Sequence, residues 1–421
     1  MKPADPGSST PEKPANQPAL AKRLALAAVA TLAALAAAEL MLRAVHWLRL
    51  RAALARLANE NGTVVAVESD IPGLIYTYRP HTGGTNAQGY YDEDHDLEKP
   101  PEVFRIVVIG DSVAAGQRVG WPNSFGKLLE YRLNQLAAES CAAATDANHH
   151  RRGGAGGKAR NDRGAPSDVG AQGVIAARVD GEAAAWDSRG NSSAPTGQRK
   201  PDVPVDECEV ILLARSGYGT AQQLVLFERE AFAYRPDLIL WSYVLNDPAH
   251  PLYHDVSGDL RLLHHPSCAL GHLGKAAWFR VCELLAARRV PDEFHARLHY
   301  VYRDRIAKQF ARIGRICGEH RVPCVLAIHP VLAGKTPLDR YPLADVHDDL
   351  RRLAESAGLQ AVDLTPAYGA RLPSEVGYPD DPWHPNALGH QLAADDLAEQ
   401  LVELGLVPWR PPMAQNTNSD R

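Results

Sequence analysis

Five short apolar runs, each followed by a helical pattern, constrain the fold of this 421-residue chain more than any other feature. The runs lie at 104–109, 210–213, 238–243, 324–328 and 361–364. Helical patterns follow at 121–136, 221–233, 294–319, 343–357 and 387–404. A βα repeat of this kind implies a parallel sheet with helices on both faces. The expected fold is therefore α/β, a three-layer αβα sandwich around a doubly wound, five-stranded parallel sheet. Ligands bind such sheets outside the carboxyl ends of the strands, so the polar residues that end the runs are the ones to examine.

The first run is the most informative. Residues 104–116 read F-R-I-V-V-I-G-D-S-V-A-A-G, a buried strand, a sharp Gly-Asp-Ser turn, then small residues suited to opening a helix. This geometry puts Ser112 at the end of a strand and at the positive end of a helix dipole. Residues 212–220, L-L-A-R-S-G-Y-G-T, follow the second run, and glycines there let the backbone turn tightly and present an N–H. The third run ends in L-N-D, where the side-chain amide of Asn246 can donate to an oxyanion. Residues 381–386 read D-P-W-H-P-N. Asp381 can accept from Nδ1–H of His384 and leave Nε2 free as a base, and Asn386 suits the N-cap of the last helix. Each of these signals alone also fits an ordinary turn. Together they fall in order along one edge of one sheet.

On these residues the chain resembles the SGNH hydrolases, the G-D-S-L type of esterase and lipase with a flavodoxin-like sheet, over residues 103–407. Ser112 matches the family's nucleophile, with Val113 where the name has leucine. Gly217 matches the oxyanion glycine, Asn246 the oxyanion asparagine, and Asp381 and His384 the D-x-x-H of the last block. Two positions depart from the pattern: Val244 stands where a glycine is common, and Leu212 where an asparagine is common. The resemblance implies a serine esterase with the catalytic set Ser112, Asp381 and His384 and an oxyanion hole of Ser112, Gly217 and Asn246. Its substrate would be an O-acyl or O-acetyl ester on a carbohydrate or a lipid. The second reading is a non-catalytic carbohydrate-binding relative, or a protein associated with O-acetyl transfer, that keeps the pocket. Asp111 and Asp247 are expected to hydrogen-bond their own loops.

Around this unit the composition divides the chain. Residues 1–19 and 408–421 read as disordered tails, and 43–102 as a linker or pre-domain segment. An insertion at 141–207 is low in complexity, rich in Gly, Ala, Arg, Asp and Ser, and nearly without aromatics. It reads as a tolerated surface loop. A second insertion, 248–293, holds aromatics, histidines and two cysteines beside Asn246 and reads as a lid or an inert excursion. Acidic residues interleave with the arginines of the first insertion and the net charge is −5, so nucleic acid is not an expected partner. No phosphate loop, dinucleotide fingerprint, cofactor lysine or metal-ligand spacing is present in the sequence, and the reading calls for no cofactor or metal. Oligomeric state is not legible.

The segment 20–42 is the remaining clue. Leu24 to Ala38 carries no charge and follows Lys22-Arg23. It reads as a single-pass anchor in the cytoplasmic (inner) membrane, with the catalytic domain periplasmic or extracellular. Ala36-Ala37-Ala38 leaves a cleaved signal peptide as the alternative. The six cysteines fall into three local pairs, 141/208, 268/282 and 317/324, which suits an oxidising compartment. Six buried free thiols are the other reading.

Overall fold

The computed structural model describes residues 17–60, 66–71, 74, 76–153, 205–248 and 293–409, with isolated positions between 270 and 285. In chain order the elements are α1 (Gln17–Glu60), β1 (Ala66–Glu68), β2 (Tyr76–Tyr78), β3 (Val103–Gly110), α2 (Phe125–Gly153), β4 (Glu207–Ala214), α3 (Thr220–Glu230) and β5 (Leu238–Tyr243). They continue with α4 (Phe294–His320), β6 (Cys324–Ile328), α5 (Ala344–Ser356), β7 (Gln360–Asp363), α6 (Pro373–Val376), β8 (Gly377–Tyr378), β9 (Asp381–Pro385) and α7 (Ala387–Glu403).

Strands β3 to β7 form one parallel sheet in the order β4-β3-β5-β6-β7. The order reverses at β3. Right-handed crossovers to its two sides therefore lay helices on opposite faces. Helices α2 and α7 pack against each other on one face, and α3, α4 and α5 follow one another on the other. The five-stranded, doubly wound expectation holds. Every residue of β3 is buried, as a central strand covered on both faces must be. Its one charged residue, Arg105, lies opposite Glu209 in the register of β4 and donates to it at 2.6 Å. A second bond, at 2.8 Å, runs to the Tyr234 carbonyl.

The outer edge of β4 is closed by side chains. Cys208, Val210 and Leu212 are two residues apart, so their N–H groups all point away from β3. They donate to Asn134, Glu130 and Asp92 respectively. Lys127, one turn before Glu130 on α2, donates to the Val210 carbonyl at 2.8 Å. An edge satisfied in this way offers little to a further strand.

Helix α1 contains a 24-residue stretch, Lys22–Val45, whose most apolar 18 consecutive residues have a mean hydropathy of 2.1 and are not buried. At 1.5 Å per residue the whole stretch is about 36 Å, enough to cross a bilayer by length and composition. The helix runs on without a break to Glu60. Most of the two insertions, 154–204 and 249–292, and the tails 1–16 and 410–421 lie outside the described residues. Cys208, Cys317 and Cys324 are free thiols, so the 141/208 and 317/324 pairs do not form as disulfides. The third, 268/282, lies outside the described residues.

Candidate active site

The Ser112 turn begins at Gly110, where a Cβ would lie 2.6 Å from the Ala114 Cβ and 2.9 Å from the Ser242 Cβ. Only glycine lets the chain pass so close to β5. Residues 111–119 then form a series of turns rather than the expected helix, and the regular helix starts later, at Phe125. Gly116, Arg118 and Gly120 take φ of 68°, 74° and 80°, which interrupts any helical run. Ser112 therefore does not sit on the first turn of an α-helix. Its place is fixed by turn bonds instead: Ala115 N to Asp111 O at 3.0 Å and Gln117 N to Ser112 O at 2.9 Å. Asp111 is buried, and its Oδ1 accepts from the Val113 N–H at 2.9 Å. Burial pushes its carboxyl above the ordinary range, against the pull of that N–H and of nearby His384.

The last loop comes back to this turn across 272 residues. His384 Nε2 lies 2.8 Å from Ser112 Oγ, and His384 Nδ1 lies 2.6 Å from Asp381 Oδ2. The other carboxylate oxygen, Oδ1, accepts from the N–H groups of Trp383 at 3.1 Å and His384 at 3.3 Å. Burial alone would raise the Asp381 carboxyl. The charge of His384 and these N–H donors outweigh burial and hold it below the usual range, so it is ionised at neutral pH and accepts from Nδ1–H. Nε2 is then left as the acceptor for the serine hydroxyl. Asn386 is the N-cap of α7, accepting from Gly389 N at 3.0 Å. Its amide also donates to the carbonyls of Glu375 and Gly377, which ties the His384 loop to α6 and β8.

The two remaining residues lie after β4 and β5, on the same sheet edge. Gly217 has φ 77°, in a turn closed by Tyr218 N to Arg215 O. Asn246 is half-buried, and among the described residues its Oδ1 has no hydrogen-bond partner. Gln223, which sequence reasoning did not single out, joins the two turns. Its Nε2 donates to Asp247 Oδ1 at 2.9 Å and to the Tyr218 carbonyl at 3.2 Å, and its Oε1 accepts from Trp241 Nε1. Asp247 Oδ2 in turn accepts from Val244 N at 3.2 Å, within its own loop.

Residues 66–102 also reach the site. Tyr76 donates to the Ser216 carbonyl and Tyr218 to the Tyr76 carbonyl. The Arg215 guanidinium stacks over Tyr90 at 4.2 Å. Gly83 and Tyr91 line a cleft of about 250 Å³ with Ala115, Gln117, Arg118, Trp121 and Ser216. The cleft thus touches both the Ser112 turn and the Gly217 turn. The only signal for this packing in the sequence is a concentration of tyrosines at 76–91.

Among the described residues one group has ligand atoms close enough for a metal ion, Asp92, Glu93 and His95. The ammonium of Lys127 already lies 3.2 Å from Asp92 and 2.9 Å from Glu93. The acidic groups therefore have their cation, and they belong to the closed edge of β4.

No family model and no curated protein matches the chain. It is similar to several solved structures at low identity. A lipase/acylhydrolase from Enterococcus faecalis is 13% identical over 74% of this chain and 100% of its own, with a TM-score of 0.36. A variant of an acetyl-xylooligosaccharide esterase from Geobacillus stearothermophilus is 13% identical over 73% and 97%, with a TM-score of 0.36. An alpha/beta hydrolase enzyme from the metagenome of Lake Arreo, Spain, is 14% identical over 72% and 95%, with a TM-score of 0.35.

Proposed function

We propose that this protein is a serine esterase of the SGNH type, held at a membrane by α1, that removes a short acyl group from a polar alcohol such as a sugar. The observation that carries the reading is the continuous chain Asp381–His384–Ser112, with links of 2.6 and 2.8 Å. His384 Nε2 takes the proton of Ser112 Oγ as that oxygen attacks the ester carbonyl, while Asp381 holds the imidazolium that forms. The N–H groups of Ser112 and Gly217 and the side-chain amide of Asn246 stabilise the oxyanion. His384 then returns the proton to the departing alkoxide. Water then attacks the acyl carbon while giving a proton to Nε2, and Nε2 returns that proton to Ser112 Oγ as the C–Oγ bond breaks and the acid leaves. No cofactor is required by these steps.

The cleft supports a polar, short-chain substrate. Its walls combine the aromatic rings of Tyr91 and Trp121 with Gln117, Arg118 and Ser216, and Ala115 is the largest aliphatic side chain among them. Aromatic faces beside hydrogen-bonding groups suit a sugar ring. The stretch Lys22–Val45 of α1, free of charge from Leu24 to Ala38 behind Lys22 and Arg23, supports a single-pass anchor with the catalytic unit outside the cytoplasm.

A series of p-nitrophenyl esters of increasing chain length tests the reading. Activity is expected to be highest on acetate, to fall with chain length, and to be lost in Ser112→Ala and His384→Ala. A maximum on long-chain esters contradicts the substrate class, and equal rates in wild type and Ser112→Ala contradict the enzyme.

A further inference from the structure

Four non-glycine residues among those described have positive φ. Arg235 and Arg321 are left-handed C-caps that end helical segments, and His81 lies in a surface turn. The fourth, Arg118, has φ 74° between Gly116 and Gly120, which take the same region. Glycine meets no steric penalty in that conformation and arginine does. A side chain kept at a strained position, six residues after the nucleophile, calls for a function for that side chain.

Arg118 reaches out of the nucleophile turn to the base loop, more than 260 residues away in sequence. One guanidinium nitrogen lies 3.2 Å from Asp380 Oδ2 and 3.4 Å from Asp381 Oδ2. The guanidinium carbon lies 4.1 Å over the ring of Tyr378. Asp381 Oδ2 is the same oxygen that accepts from His384 Nδ1. At its backbone end Arg118 follows Gln117, whose N–H donates to the Ser112 carbonyl. The residue thus connects, in a few bonds, the backbone of the nucleophile to the carboxylate that orients the base. The loop it holds, from β8 into β9, has an irregular register at Gly377/Tyr378 and so little of its own ladder to fix it.

We propose that Arg118 is a positioning residue that clamps the Tyr378–Asp381 segment onto the nucleophile turn and so sets the angle at which His384 addresses Ser112. The proposal rests on the esterase reading above. An ion pair exposed to this degree adds little to stability, since Asp380 is 71% and Arg118 34% exposed. The contact therefore bears on geometry at the site far more than on the fold.

Arg118→Gly tests this most sharply, because glycine relieves the strained backbone while removing the clamp. The thermal midpoint is expected to equal or exceed that of wild type. On p-nitrophenyl acetate, which carries no sugar to meet the cleft wall that Arg118 also lines, kcat is expected to fall about tenfold to a hundredfold, the scale of a small misplacement of reacting groups, with KM within about twofold. Guanidinium ion at non-denaturing concentration is expected to restore part of kcat in Arg118→Gly and none in Ser112→Ala, and Arg118→Lys is expected to fall between Arg118→Gly and wild type. An unchanged kcat overturns the proposal, and so does a rise in KM at constant kcat, which assigns Arg118 to substrate binding. A fallen midpoint with no guanidinium rescue overturns it too and makes Arg118 a structural contact. Labelling of Ser112 by a fluorophosphonate in the wild-type protein separates the two readings. Without that label the esterase itself fails, whatever Arg118 does; with it, only the clamp is in question.

Discussion

Replacing Asp381 by asparagine separates the orientation of His384 from its presence. The carboxylate accepts four bonds: Oδ1 from Trp383 N and His384 N at 3.1 and 3.3 Å, and Oδ2 from Nδ1 at 2.6 Å and, at 3.4 Å, from the exposed Arg118 guanidinium. An amide has only one oxygen. If that oxygen keeps the two backbone donors, the NH₂ faces Nδ1, and His384 must carry its proton on Nε2. If the amide flips, two N–H groups lose their acceptor; that of Trp383 is exposed to water, and that of His384, partly buried, costs about 1–3 kcal/mol. The first orientation therefore wins by about that amount, and in it Nε2 cannot accept from Ser112 Oγ. The expected result is a kcat about 10³- to 10⁴-fold below wild type on p-nitrophenyl acetate, with a thermal midpoint close to wild type. His384→Ala, which removes the base itself, should lose more, approaching about 10⁶-fold. An Asp381→Asn enzyme within tenfold of wild-type kcat would refute the assignment of Asp381 as the orienting group.

Two further predictions concern stability. Burial lowers the affinity of His95 for a proton, but its bonds to Asp92 and Glu209 outweigh this and raise its pKa to about 9. A histidine raised above its unfolded value of about 6.5 stabilises fully below that pH, and the contribution is lost as pH rises through 9. Urea denaturation of wild type should lose on the order of 3 kcal/mol from this source between those values, and His95→Gln should flatten that slope; parallel profiles would contradict the account. Asn386→Ala removes the cap of α7 and two donors to Glu375 and Gly377. It should cost about 2 kcal/mol in urea denaturation and lower kcat several-fold, because the base loop loses its anchor; an unchanged urea midpoint counts against that role.

Much of the fold was legible because buried parallel strands are short continuous apolar runs. The runs at 238–243 and 324–328 coincide with β5 and β6 as observed. The candidate residues Ser112, Gly217 and Asn246 were legible for the same reason, since each follows one of those runs, whereas Asp381 and His384 were legible only from their D-x-x-H spacing before the last helical pattern. What was not legible depends on distant contacts or on backbone angles. The run of small residues after Ser112 suits a helix locally, yet three positive φ values within 116–120 make it a turn. The segment 66–102 has strands of only three residues, too short for a period to register, and its place is set by Tyr76, Tyr90 and Asp92 meeting β4 and the Gly217 turn. Arg118 carries no local signal at all, because its partners lie more than 260 residues ahead.

The central claim is that Ser112 is a nucleophile activated by His384, and covalent labelling tests it without knowledge of the natural substrate. The full-length protein, treated with a fluorophosphonate and examined by intact mass and peptide mapping, should gain one adduct, on Ser112. The adduct should be absent in Ser112→Ala and form far more slowly in His384→Ala. A folded wild-type protein that gains no adduct, or an adduct that persists in Ser112→Ala, would contradict the account.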